Sequence, residues 1–347
     1  MSTTPTQDQQ LRYINYQLPP HSTPLLIIWS LVTAGISLVG NTVILIGTIK
    51  HNAIKLDNIS LLLIKQLAVS DICNTLIIVL PGVVTLSTKR ALFGDNLAVC
   101  QIIAYMQYVF PAFNSLAVCA MTINKLSILL KPTKTLTRSD KTGYILVAGA
   151  WLCGLVPALM YFIVGGTTVM FDTRVYRCMP DWNGSRHEEL WKMLDNIKSV
   201  VFIFIPFLTI LATTIWILTF LKKVINLSRQ NIPLVLSVAI LHLISFMPFL
   251  TYVITMNIFK PSREVKYRTD TVAQLWAAAV YLNYLNTMSN PVLYYFTSAS
   301  FKTYVGRWWR RIRGEEGGGS SGMELSTASN LRGSVSVLSG HKVAAQA

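Results

Sequence analysis

Apolar residues run almost unbroken through seven stretches of this chain, at roughly 24–49, 60–86, 98–130, 143–165, 199–221, 232–258 and 272–297. Each is long enough for a helical membrane span, which needs ~20 predominantly apolar residues. The runs are too long for barrel strands, which need about ten residues of alternating polarity. Lipid gives backbone polar groups no partner, so a helix that satisfies its own ladder is the remaining way across. The pattern predicts an all-α membrane protein, a seven-transmembrane helix bundle.

The flanks read differently. Residues 1–23, beginning "MSTTPTQDQQLRYINYQLPP", are polar and have no apolar core of a secretory signal, so the first span is expected to be its own insertion signal. Residues 24–310 form the expected membrane domain, with a short eighth helix at its end. Residues 311–347 include "GEEGGGSSGMELSTASNLRGSVSVLSG", a Gly- and Ser-rich composition expected to be a disordered cytoplasmic tail.

Composition agrees. The chain is 52% hydrophobic and 13% charged, with a mean hydropathy of +0.48. A soluble domain carries about a quarter charged residues. The net charge of +15 raises the question of nucleic acid. Its distribution answers against it, because the positive charge follows topology. Lys50, Lys55, Lys131, Lys134, Arg138, Lys141, Lys222, Lys223 and Arg229 follow the first, third and fifth spans, and Lys302, Arg307, Arg310, Arg311 and Arg313 follow the last. Loops on the opposite side mix signs, with Asp172, Arg174, Arg177, Asp181, Glu188 and Glu189. The positive-inside bias places the N-terminus outside, the C-terminus in the cytosol and the partners in lipid rather than nucleic acid. Of the five cysteines, Cys73, Cys119 and Cys153 fall within spans and act as small hydrophobes. Cys100 and Cys178 lie on the oxidising outer side and are the natural disulfide.

Polar residues within the spans are costly in lipid and mark function or helix–helix glue. In the third span Cys100, Gln107, Asn114 and Met121 recur every seven residues, with Lys125 four further on, so they share a helix face. The seventh span repeats the theme with Asn283, Asn286, Asn290 and Tyr294. Asn41 stands in the first span, Asp71 and Asn74 in the second, and His242 in the sixth, four residues before Phe246. A mid-span carboxylate such as Asp71 needs a partner or an ion.

In these motifs the chain resembles the rhodopsin-like (class A) G-protein-coupled receptors, in a peptide-receptor-like branch. The motifs are Gly40-Asn41, "LAVSD" at 67–71, Cys100 with Cys178, Trp151, Pro206 and "NTMSNPVLYY" at 286–295 with its Asn290-Pro291-x-x-Tyr294. "FKTYVGRWW" at 301–309 resembles the family's amphipathic eighth helix. The resemblance implies a plasma-membrane receptor that binds an extracellular ligand and signals through heterotrimeric G proteins. It implies arrestin as a further partner of the Ser/Thr-rich tail. It also implies an allosteric sodium site at Asp71, Asn114, Asn286 and Asn290, and no other cofactor.

The departures concern the switches. Asn124-Lys125-Leu126 stands where the family has Asp/Glu-Arg-Tyr, at the inner end of the third helix where a transducer docks. Lysine keeps the charge but loses the planar fork of arginine, and Asn124 removes the adjacent carboxylate. Ser245-Phe246-Met247-Pro248 replaces Cys-Trp-x-Pro, and Pro248 still allows a kink. Thr214 replaces a tyrosine, His242 a phenylalanine, and Ser228 leaves no acid to lock the third helix.

For the ligand, Tyr284 stands where opsins carry the Schiff-base lysine, and Gln107 where aminergic receptors carry their counter-ion. A buried ammonium would lack a partner near Gln107; an amide of a peptide would not. "TTVMFDTRVYRCMPDW" before and after Cys178 resembles the outer hairpin of peptide receptors. Gln107, Phe246, Tyr284, Arg177 and Trp182 are therefore the candidate ligand pocket, with Arg174 a further loop candidate. Asn183-Gly184-Ser185 is an outer glycosylation sequon. The readings in competition are a signalling receptor, a non-coupling (scavenger or atypical) receptor favoured by Lys125, and a transporter. A transporter would carry internal repeats and midplane acids, which this chain lacks beyond Asp71. No nucleophile–base pair or metal spacing supports an enzyme.

Overall fold

The computed structural model describes residues 12–14, 22–51, 53–92, 96–130, 140–163, 169–180, 188–223, 232–259 and 270–314. Trp182, Asn183 and Ser228 lie outside them, as do most of the N-terminal segment and the tail. Contacts divide the chain after Lys302, and the bundle described below belongs to the part before it.

The helices are α1 (Ser22–Lys50), α2 (Asn58–Asn74), α3 (Leu80–Thr88), α4 (Leu97–Leu130), α5 (Asp140–Ile163), α6 (Glu188–Ser199), α7 (Ile205–Lys223), α8 (Ile232–Phe259), α9 (Asp270–Thr297) and α10 (Ala299–Ile312). Single π-helical turns, Thr75–Val79 and Val200–Phe204, join α2 to α3 and α6 to α7. The expected second and fifth spans are therefore each two helices joined by a wider turn. Each turn ends two residues before a proline, Pro81 or Pro206, whose missing N–H already disturbs the ladder there. The fifth span also starts earlier than its apolar run, because α6 is an amphipathic extension from Glu188.

Six described spans are long and apolar enough to cross a membrane: Ser22–Lys50, Asn58–Thr88, Leu97–Leu130, Lys141–Met160, Asn196–Phe220 and Ile232–Met256. The seventh expected span is α9, a continuous 28-residue helix whose hydropathy is lowered by its amides and tyrosines. It packs against α8 and α1, closing the bundle. α4 is the central helix, touching α2, α5, α7 and α8. Large apolar side chains such as Ile145, Leu152, Ile215 and Ile244 stay exposed on the outer faces, as a lipid-facing surface requires.

The packing of α1 on α9 shows why the Gly40-Asn41 pair is there. A Cβ on Gly40 would lie 2.4 Å from the Pro291 Cβ, so only glycine admits the proline ring. Pro291 has no N–H, which leaves the carbonyl of Thr287, four residues back, without its helical donor. Asn41 supplies that donor from the neighbouring helix, Nδ2 to Thr287 O at 3.0 Å.

A small sheet covers the end of the bundle where α4 begins, the end expected to face outward. β2 (Val169–Asp172) and β3 (Arg177–Pro180) form an antiparallel hairpin, and β1 (Arg12–Ile14) adds a parallel strand beside β2. The sequence pattern assigns no element to the N-terminal segment; three of its residues form this edge strand.

Candidate functional site

The outer cavity begins with the hairpin. Cys100 at the start of α4 is bonded to Cys178 in β3, as expected from their shared outer side. Thr85 donates to Tyr176 O at 2.6 Å, and Tyr281 donates to Val175 O at 3.0 Å. Asp172 accepts from Arg174 Nη2 at 2.6 Å and from Trp276 Nε1 at 3.1 Å. The hairpin is thus tied to α3, α4 and α9. Arg174, a loop candidate for ligand contact, is instead a buried internal partner of Asp172. Its short spacing to the aspartate lets one carboxylate take both its Nε and Nη2.

Beneath the hairpin lies a cavity. Gln107, Phe246, Tyr284 and Arg177, four of the five expected pocket residues, line it. Its walls are largely aromatic and aliphatic, with Tyr108, Phe202, Phe249 and Trp276 prominent. Gln107 is partly committed: its amide nitrogen reaches Cys178 O at 3.2 Å, so its N–H groups serve the hairpin. Arg177 is buried, with its guanidinium carbon 4.7 Å from the Tyr284 ring centre and 5.8 Å from that of Tyr281. Burial pushes its pKa down to about 10, with the Tyr281 hydroxyl acting in the opposite sense, so it remains a cation at neutral pH. Lys198 also lines the cavity, its ammonium 4.1 Å from the Tyr108 ring centre. The hydropathy pattern does not single out Lys198. Its place in an outward extension of an apolar run is the available signal.

Deeper in the bundle the polar residues split into two groups. Asp71 accepts from Asn114 Nδ2 at 3.0 Å and from Asn290 Nδ2 at 2.8 Å. Asn286, expected with them, is turned away. Its Oδ1 lies 3.1 Å from His242 Nδ1, while Ser115 Oγ lies 3.1 Å from His242 Nε2. An amide oxygen can only accept, so His242 donates through Nδ1 and accepts from Ser115 through Nε2. His242 stacks on Phe246, a ring that also lines the outer cavity. The imidazole therefore joins α4, α8 and α9 beneath the cavity, which a phenylalanine at this place could not do.

The donor set at Asp71 fits a hard cation only after rearrangement. Hard ions want oxygen, and both carboxylate oxygens here face amide nitrogens. Asn114 Oδ1 is buried and has no hydrogen-bond donor, so one amide oxygen is at hand. Among the described residues no group of three His, Cys, Asp or Glu is placed to hold a metal.

Towards the inner end, Asn124 and Lys125 are both buried. Asn124 donates to Asp57 Oδ2 at 2.7 Å, the same oxygen that caps α2 by accepting from Ser60 N. The sequence alone shows no acid beside Lys125. The structure places one, the α2 cap Asp57, against the neighbouring Asn124. Of the other expected switch residues, Tyr294 is buried with its hydroxyl unpartnered and edge-on to Phe301. Thr214 is likewise buried with a free hydroxyl. Cys119 donates to the carbonyl of Pro206 at 3.3 Å. Pro248 lies inside α8, two residues beyond Phe246.

A bundle of this topology, with a disulfide-bound hairpin over an outer cavity and a polar core running inward, is that of a seven-helix receptor. The family description "7 transmembrane receptor (rhodopsin family)" matches residues 40–294, and the chain belongs to that family of multi-pass membrane receptors; it is not an enzyme. It is 23% identical to the type-1 angiotensin II receptor B of Xenopus laevis over 275 residues, 76% of this chain and 73% of that protein. It is 23% identical to the human type-1 angiotensin II receptor over 282 residues, 78% of this chain and 76% of that protein. To the neuropeptide S receptor of Rattus norvegicus it is 26% identical over 203 residues, 56% of this chain and 50% of that protein.

Proposed function

We propose that this receptor sits in the plasma membrane with its N-terminus outside, binds an extracellular peptide and signals through a heterotrimeric G protein. The observation that carries the reading is the connected arrangement of the site. The outer cavity has Phe246 in its wall, Phe246 stacks on His242, and His242 links three helices. A ligand that displaces Phe246 therefore changes how α8 sits against α4 and α9, which is the differential contact a two-state receptor needs. The relatives named for peptides, and the hairpin lid over an aromatic cavity, support a peptide as the ligand. Arrestin at the tail remains part of the proposal, as does glycan at Asn183.

A second reading is a receptor that binds without coupling. Lys125 favours it, because a lysine offers a point charge where the family presents a stacking fork. Cells expressing the full chain, screened with a peptide library for binding and for nucleotide exchange on a panel of G proteins, separate the two. We expect one peptide class to drive exchange, inefficiently, in the wild type. Saturable binding with no exchange in any arm sinks the coupling reading and leaves the non-coupling receptor. An N-terminal epitope unreadable on intact cells would overturn the orientation.

A further inference from the structure

The hairpin residues Val169–Pro180 carry two arginines and one aspartate, and the aspartate is already taken. Asp172 accepts from Arg174 through both its oxygens and from Trp276 through one. Arg177, its cross-strand neighbour, is left with rings rather than an acid. Its Nε and Nη2 are buried and meet no hydrogen-bond acceptor among the described residues, and only 7% of the residue is exposed. The hydroxyl of Tyr284 beside it is also buried and unpartnered. Both groups lie close to Gly82, where an added Cβ would come 3.5 Å from Arg177 Nη2 and 3.5 Å from Tyr284 Oη.

A guanidinium buried without a counter-ion is costly, and removing such a charge from water is offset only by good partners. Ring faces contribute some stabilisation, yet they leave the directed N–H donors unused. Arg177 lines the cavity, and among its described lining residues there is no Asp or Glu. Among the described residues that guanidinium has no acceptor, and the cavity it lines is where a ligand can bring one.

We propose that the outer cavity holds a carboxylate subsite, in which Arg177 and Tyr284 receive an acidic group at the inserted end of the ligand. The assignment rests on the ligand-receptor reading and names the chemistry of what binds there. A carboxylate suits the site because its two oxygens match the fork of a guanidinium, with the phenol as a further donor. The group is either the C-terminal carboxylate of a peptide or an acidic side chain. The aromatic wall formed by Phe202, Phe249 and Trp276 asks for a bulky apolar neighbour to that acid. The disulfide holds Cys178 in place, and Arg177 is the residue before it, so the charge is pre-positioned before any ligand arrives.

The test uses the purified full chain in lipid nanodiscs and three small probes at millimolar concentration. N-acetyl-tryptophan offers a terminal carboxylate beside an aromatic ring. N-acetyl-tryptophan amide is its neutral match, and N-acetyl-aspartyl-tryptophan amide offers a side-chain carboxylate. We expect at least one acid to raise the melting temperature and the neutral amide to leave it unchanged. The acid that works identifies the source of the carboxylate. Arg177→Gln should weaken binding of that acid by about 10- to 100-fold, the scale of a charge-assisted hydrogen bond. Arg177→Lys should retain part of it, and Tyr284→Phe should lose less than Arg177→Gln. Intact Cys100–Cys178 bonding on a non-reducing digest shows that each variant is folded. Equal shifts with acid and amide, no shift with any probe, or an undiminished shift in a folded Arg177→Gln overturns the subsite. None of those outcomes bears on whether a peptide drives exchange, which the library screen decides separately.

Discussion

Asn124 at the inner end of α4 donates to Asp57, the cap of α2, across 2.7 Å. The amide therefore occupies a place where a carboxylate would meet another carboxylate. Restoring the family's acid with Asn124→Asp should repel Asp57 and loosen the inner end of α2 from α4. We expect a lower melting temperature and raised basal nucleotide exchange. Adding Asp57→Asn should rescue both, because the hydrogen bond is then rebuilt with its partners exchanged. If Asn124→Asp melts like wild type, the contact does not restrain the bundle. The pair Asn124→Asp with Lys125→Arg should raise ligand-driven coupling most clearly in the Asp57→Asn background.

Gly40 and Asn41 act together on α9. Gly40→Ala drives a methyl into Pro291 and should cost about 1–3 kcal/mol by overpacking. Gly149, where an added Cβ would meet nothing within 4 Å, is the control, and Gly149→Ala should be nearly neutral. Asn41→Ala leaves the Thr287 carbonyl without a donor and should cost about 1 kcal/mol, the scale of polar contacts between membrane helices. Surface expression and thermal unfolding of the three variants give the ranking; equal behaviour of both glycine variants would contradict it.

Cys178→Ala should sharply lower surface expression or ligand binding, since the hairpin then loses its bond to α4. Loss of a disulfide costs about 2–4 kcal/mol in small soluble domains. Cys153 is exposed and free, and Cys153→Ala should change neither quantity. The flow-cytometry signal of the two variants, side by side, decides the matter.

Sodium is expected to act through Asp71, with Asn114 and Asn290 turning their amide oxygens inward. Sodium chloride, but not choline chloride, should raise the melting temperature of the ligand-free receptor and lower agonist affinity. Asp71→Ala should abolish both effects. Asn286→Ala should leave them in place, because Asn286 is held by His242 rather than by Asp71. A sodium response lost in Asn286→Ala and kept in Asp71→Ala would reverse the assignment.

The spans and the motif order were legible because lipid imposes a long apolar run on every crossing helix. The disulfide was legible because compartment alone left two cysteines on the outer side. The partner of each buried amide was not. Asn286 and Asn290 are four apart on one face, yet one meets His242 and the other Asp71. That choice depends on helix rotation and on rotamer, which spacing does not encode. Asp57 carried a readable sign, an aspartate three residues before Ser60 at a helix start. Its other side-chain partner, Asn124, lies 67 residues away and had no local signature. Arg174 read as a surface candidate because a loop arginine is ordinarily solvated; Asp172 two residues earlier was the clue to its burial.

The π turn at Thr75–Val79 has a consequence for how this chain tolerates insertions and deletions. A wider turn accommodates one more residue than an α-turn, so it sets the rotational phase between the two halves of the second span. Deleting a single residue there would close the wide turn with the phase kept, whereas deleting one in the plain helix of α2 would spin the outer half by about 100°. Gly82 would swing away from Arg177, and Thr85 away from the Tyr176 carbonyl. Such a deletion would leave the hydropathy profile almost untouched while removing one wall of the outer cavity and one anchor of its lid.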